Sequence, residues 1–120
     1  MAEVLHRVLV VEDSPDQAEL LRKNFVKAGC SVRTVTTGEE AIAAALELVP
    51  DLAVIDLVLP GMDGWELVAH FRAAWPACAI VVSSVLDPQD FPPADAILPK
   101  PFTGTQVREL LGRVLGDGAT

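Results

Sequence analysis

Leu52-Ala53-Val54-Ile55-Asp56 is an unbroken apolar run that ends on a carboxylate. Four apolar residues in a row, with no polar alternation, predict a strand buried on both faces, the pattern of a central parallel strand. Turn signals bound the run, with Pro50 before it and Pro60-Gly61 after it. Such a strand needs parallel neighbours, and helices over both faces of the sheet.

Both kinds of element follow on working outward. Upstream, Arg7-Val8-Leu9-Val10-Val11 is a second buried run, closed by Glu12-Asp13. Ser14-Pro15-Asp16-Gln17 then has the form of a helix start, with Ser14 as cap, Pro15 at the first helical position and Gln17 completing a capping box. Leu21, Phe25 and Ala28 recur at helical spacing and Gly29 supplies the stop. Ser31 to Val35 is the next strand. Thr37-Gly38-Glu39-Glu40 opens a helix with Ala41, Ala44, Ala45 and Leu48 on one face, ended by Pro50. Downstream, Leu57 to Asp63 is a loop. A helix from about Gly64 to Ala74 buries Leu67, Val68 and Phe71, with Asp63 as its cap. Ala79 to Val82 and Ala96-Ile97-Leu98 are the fourth and fifth strands, and Thr103-Gly104-Thr105-Gln106 opens a last helix with Val107, Leu110, Leu111 and Val114 inward. Strands alternating with helices imply right-handed crossovers. Five strands at this length predict a flavodoxin-like doubly wound α/β fold, a five-stranded parallel sheet in the order 2-1-3-4-5.

The 120 residues predict one domain, large enough for a core without disulfides or a structural metal. No apolar run approaches the ~18 residues that cross a bilayer, and Met1 to Arg7 carries Glu3 and His6 in place of a signal-peptide apolar region, so a cytoplasmic protein with no membrane partner is expected. A net charge of −8 with scattered basic residues argues against nucleic-acid binding. Cys30 and Cys78 have no CxxC spacing, and His6 and His70 have no ligand partners in sequence. Both cysteines read as small buried hydrophobes in a reducing compartment.

In such sheets ligands sit outside the carboxyl ends of the strands. Standing there are Glu12 and Asp13 after the first strand, Asp56 after the third, Ser83 and Ser84 after the fourth, and Lys100 after the fifth. Three neighbouring carboxylates repel one another unless a cation is present. Mg²⁺ suits them, because it prefers oxygen ligands and is held by one or two carboxylates together with phosphate oxygens. Lys100 adds a point charge for a phosphoryl group, and Ser83 a hydroxyl donor. These are the parts of a phosphoryl-transfer site, with Asp56 as candidate nucleophile.

Val8-Leu9-Val10-Val11-Glu12-Asp13, Asp56-Leu57-Val58-Leu59-Pro60-Gly61-Met62-Asp63-Gly64 and Lys100-Pro101-Phe102 together resemble the three signatures of response-regulator receiver domains of two-component systems. The resemblance covers essentially the whole chain, as a single receiver domain over residues 1–120 with no output domain visible in it. It implies a phosphoprotein in which Asp56 is the phosphoacceptor. It implies a Mg²⁺ site with Asp13 a direct ligand, Glu12 a ligand through water, and Asp56 and the Val58 carbonyl completing the protein's share. It matches Ser83 to the hydroxyl that moves toward the phosphoryl group and Lys100 to the family's lysine, with a cis bond to Pro101. The implied partners are a histidine kinase or histidine phosphotransfer protein upstream and a protein target downstream, with no catalysis beyond the chain's own phosphorylation and dephosphorylation.

The chain departs from the family between Ser84 and Asp95, several residues shorter than usual and carrying Pro88, Pro92 and Pro93. Proline disrupts a helix interior and pushes the residue before it out of helical geometry. The family's fourth helix is therefore expected to be shortened or missing, a loop with at most about one turn. Ile97 takes the position of the family's aromatic switch. Three other functions fit the residues less well. A haloacid-dehalogenase-like phosphohydrolase needs an acid two positions after the nucleophile, where this chain has Val58. A flavin or nucleotide module would not place Glu12-Asp13 in its phosphate loop. A receiver-shaped scaffold that is never phosphorylated would not need the full acceptor set.

Overall fold

A computed structural model describes residues 5–116, so Met1–Val4 of the chain's start and Asp117–Thr120 lie outside them. The strands are β1 (Arg7–Val11), β2 (Ser31–Val35), β3 (Leu52–Ile55), β4 (Ala79–Val82) and β5 (Ala96–Ile97). The helices are α1 (Pro15–Lys27), α2 (Gly38–Glu47), α3 (Gly64–Ala74) and α4 (Gly104–Leu115). The sheet is parallel throughout, in the order β2-β1-β3-β4-β5. It is the doubly wound, flavodoxin-like arrangement expected from the sequence.

Alternate residues of each strand feed two cores, one on either side of the sheet. Val8, Val10, Leu52 and Val54 pack with Leu21 and Phe25 of α1 and Val107, Leu110 and Leu111 of α4. Leu9, Val11, Ala53 and Ile55 pack on the other face with Ala41, Ala44 and Ala45 of α2 and Leu67, Val68 and Phe71 of α3. This two-sided burial is why β1 and β3 carry no polar alternation. Phe25 and Phe71 are the largest fully buried side chains, one in each core. Burying each contributes about 2–3 kcal/mol.

The helix ends follow the expected chemistry with two departures. Asp63 accepts from the Glu66 N–H at 2.9 Å, Thr103 and Gln106 form a reciprocal capping box, and Gly29 (φ 96°) follows the end of α1. Ser14 caps α1, yet its own N–H goes to the Glu12 carboxylate at 3.1 Å and not to Gln17. Thr37 caps α2, but Glu40 reaches past it to the Thr36 N–H and hydroxyl. A third correction concerns Leu48. It was expected on the buried face of α2, but the helix stops at Glu47 and Leu48 turns extended (φ −155°, ψ 110°), leaving it 58% exposed.

No full helix stands between β4 and β5. A single 3₁₀ turn, Pro88–Asp90, replaces it. Asp87 and Pro88 start the turn and Pro92-Pro93 prevent its continuation, as the proline spacing requires. Arg72 donates to the Pro93 carbonyl at 2.9 Å, and the Asp95 carboxylate accepts from the Ile80 N–H at 2.7 Å, tying the segment to α3 and β4. Leu86 and Phe91 cover part of the α2–α3 core in place of a helix. Among the described residues no helix is long and apolar enough to cross a membrane.

Candidate functional site

Strand register builds the site. Val11, Ile55 and Val82 lie side by side across β1, β3 and β4, so the next residues, Glu12, Asp56 and Ser83, stand in one row beyond the carboxyl edge. Backbone bonds carry the pairing past the strand ends. The Asp56 N–H donates to the Val11 carbonyl at 3.1 Å, the Ser83 N–H to Ile55 at 3.0 Å, and the Lys100 N–H to Ser84 at 2.9 Å. Four segments are thereby fixed by the sheet rather than by mobile loops.

Glu12, Asp13 and Asp56 each offer a carboxylate oxygen within 4.8 Å of the others. Glu12 and Asp56 are buried, whereas Asp13 faces solvent. The Lys100 side chain is only 7% exposed, and its ammonium donates to the Glu12 carboxylate and lies 3.3 Å from Asp56 Oδ2. Asp56 Oδ1 accepts from the Val58 N–H at 3.1 Å. Each oxygen of Asp56 thus has one donor, which orients the carboxylate. Burial pushes the Glu12 carboxyl above its ordinary range. The bonds from Lys100 and the Ser14 N–H pull it back, and the nearby Asp56 charge adds to the upward push.

The three carboxylates and one ammonium leave two negative charges when all are ionised. The donors are all oxygens, two of them in a low-dielectric pocket, which is the chemistry a hard divalent cation prefers. The residues present therefore fit Mg²⁺.

The structure separates the two serines. Ser84 Oγ accepts from the Leu86 N–H at 3.3 Å and closes a turn. Ser83 Oγ is buried at the site edge and has no hydrogen-bond partner among the described residues. An unmet buried hydroxyl costs roughly 1–3 kcal/mol, so its presence there calls for a reason. The Lys100–Pro101 bond is cis, as the resemblance implied. Val58 joins the site through its N–H, and its side chain is exposed. His70 lies tilted against Trp75 with ring centroids 5.7 Å apart and joins no ligand cluster among the described residues, and Cys30 and Cys78 are buried and free. Sequence reasoning missed one participant. A Cβ on Gly64 would collide with the Asp56-Leu57 backbone, a close approach that a bare glycine in a motif does not announce.

The comparisons with known proteins agree with this geometry. The family model for the response regulator receiver domain matches residues 8–111. The DNA-binding response regulator MtrA of Mycolicibacterium smegmatis is 33% identical over 119 residues, covering 95% of this chain and 51% of that one. The chain spans about half the length of this curated relative. A putative response regulator from Chloroflexus aurantiacus superposes with a TM-score of 0.86 at 28% identity, covering 93% of this chain and 98% of that one. A CheY-like response regulator receiver domain from Methylobacillus flagellatus gives 0.85 at 26% identity, covering 92% and 99%. A family match over most of the chain, the 2-1-3-4-5 sheet and the acidic cluster at its carboxyl edge lead to one conclusion: the chain belongs to the response regulator receiver domain family.

Proposed function

We propose that this chain accepts a phosphoryl group on Asp56, with Mg²⁺, from a histidine kinase or histidine phosphotransfer protein, and passes the signal to a protein partner by a change of conformation. The observation that carries the proposal is the pairing of Lys100 with both Glu12 and Asp56 beside the unpartnered Ser83 hydroxyl. A phosphorylated donor nitrogen would lose its N–P bond as an Asp56 oxygen forms the new O–P bond, and the donor imidazole keeps the electron pair. Lys100 supplies positive charge where the phosphoryl oxygens arrive, and Ser83 supplies a hydrogen bond to one of them. Lys100 is paired with Asp56 before reaction, so positioning carries much of the catalysis.

Asp13, Asp56, the Val58 carbonyl and, through water, Glu12 would hold the cation. When bound, Mg²⁺ offsets the carboxylate charge that would otherwise repel an incoming phosphoryl group. Chemistry beyond the chain's own phosphorylation and dephosphorylation has no support here. Val58 stands where a phosphohydrolase of this kind needs a second acid, and Glu12-Asp13 occupy the loop in which a nucleotide module would cradle phosphate. The net charge of −8 favours protein partners for this domain in the cytoplasm. Where the chain forms part of a longer regulator, as its DNA-binding relative's length suggests, contact with DNA would belong to the rest of that protein.

The test is transfer from a phosphoramidate donor with Mg²⁺, followed by hydroxylamine. Formation of a phosphoprotein that hydroxylamine cleaves is expected, because an acyl phosphate is attacked at its carbonyl. A hydroxylamine-stable phosphoprotein would place the group on an alcohol and contradict the proposal.

A further inference from the structure

We infer that Gly64 is a positioning residue for Asp56: its missing side chain lets the first turn of α3 close onto the acceptor's own peptide. The inference rests on the assignment of Asp56 as phosphoacceptor. A Cβ at position 64 would stand 2.4 Å from the Asp56 carbonyl oxygen, 2.4 Å from the Leu57 Cα and 3.0 Å from the Asp56 carbonyl carbon. All three atoms are backbone, so no side-chain rotation relieves the clash. The Gly64 N–H also donates to the Leu57 carbonyl at 3.0 Å, so the same residue both approaches and grips the segment. Restoring an ordinary 3.4 Å contact would take a shift of about 1 Å in either α3 or the Asp56-Leu57 backbone.

A shift of that size falls where it matters. The Asp56 carboxylate is aimed by two bonds, from the Val58 N–H at 3.1 Å and from Lys100 at 3.3 Å, and Val58 lies on the displaced segment. A misplacement of about 1 Å at a reacting group can cost on the order of a hundredfold in rate.

The other glycines provide graded controls. A Cβ on Gly38, at the start of α2, would meet Met62 Cβ and Sδ at 3.1 Å, a contact that a shift of a few tenths of an ångström relieves. A Cβ on Gly112, inside α4, would meet nothing within 4 Å. Gly112→Ala should therefore stabilise the fold by removing the entropic cost of a helical glycine, without touching the site.

Labelling by acetyl phosphate with saturating Mg²⁺ is measured on wild type, Gly38→Ala, Gly64→Ala, Gly112→Ala and the Gly64→Ala/Gly112→Ala double variant. The Val58 amide resonance and the thermal midpoint are read alongside. The expected result is a rate lower by on the order of a hundredfold in Gly64→Ala, little change in Gly38→Ala, and none in Gly112→Ala. The double variant should regain thermal stability but stay slow, with its Val58 amide shifted. Wild-type labelling in Gly64→Ala, recovery in the double variant, or a double variant that does not fold would each overturn the inference and leave a purely structural role. If wild type takes no label, the acceptor assignment fails instead. The Val58 amide then decides Gly64 alone: shifted in Gly64→Ala supports the positioning role, and unshifted overturns it.

Discussion

Lys100 holds its ammonium 3.3 Å from Asp56 Oδ2 although the two residues are 44 positions apart in the chain. The same ammonium is bonded to Glu12, so one cation balances two buried carboxylates. Removing one partner of a buried ion pair leaves the other charge unmet, at about 3 kcal/mol. Lys100→Ala should lose stability of that order in urea titrations without divalent ions. Mg²⁺ should restore much of it, because a cation that binds only the folded state stabilises by mass action. A Lys100→Ala protein as stable as wild type in EDTA would show that the ammonium does not carry this balance.

Asp13 is the exposed member of the carboxylate cluster, free of the ion pairs that hold Glu12 and Asp56. Asp13→Asn removes one anionic oxygen ligand and should weaken Mg²⁺ binding by roughly tenfold or more in calorimetric titration, since ligand charge count tunes such affinities. Its fold should be undisturbed. Equal affinity in the two proteins would remove Asp13 from the metal set.

The amides of the segment between β4 and β5 bond locally and in short turns, Leu86 to the Ser84 hydroxyl and Gln89 to the Asp87 carboxylate among them. The Asp90 N–H donates to Asp87, Phe91 to Pro88 and Asp95 to Ile80, while Val85 is largely exposed. Amide exchange should therefore be slow at Asp95 and fast at Val85, with no run of protected amides two helical turns long. Asp95→Ala should loosen the segment at a cost of about 1 kcal/mol by freeing the Ile80 N–H. With a phosphoryl mimic on Asp56, exchange in Val85–Asp95 should change as Ser83 moves. Identical exchange in both states would remove this segment from signalling.

Burial, with the Asp51 charge adding to it, pushes the Cys78 thiol from 9.0 up to about 12. A folded-state value raised above the unfolded one means that its stability contribution is full below about 9 and is lost as pH rises toward 12. The chain has no tyrosine to titrate in the same window. Wild type should lose stability faster than Cys78→Val between these values in urea titrations at stepped pH. Parallel curves for the two proteins would refute this.

Much of this could be read in the chain because two-sided burial writes itself as unbroken apolar runs, as in β1 and β3, and because the acidic and basic site residues sit at the ends of those runs. What stayed hidden depends on three-dimensional competition for hydrogen bonds. Ser83 and Ser84 are adjacent hydroxyls in an identical apolar context, and only the turn at Leu86 claims one of them. The Ser14 N–H was assigned to Gln17 by spacing, whereas Glu12, brought round by the end of β1, takes it. Leu48 lost its place in the core because α2 ends one residue too soon. Gly64 lies against a residue eight positions earlier, an approach that no local pattern in the chain announces. The short segment before β5 was legible because proline acts locally, on its own φ and on its neighbour.

The central claim is that Asp56, and no other side chain, takes the phosphoryl group. Wild type and Asp56→Asn are incubated with acetyl phosphate, with Mg²⁺ and with EDTA, and weighed intact. Asn keeps the shape and removes the nucleophilic oxygen, so folding should be unaffected. One phosphoryl mass on wild type with Mg²⁺, and none on wild type in EDTA or on Asp56→Asn, is the predicted result. Equal labelling of the two proteins would contradict it.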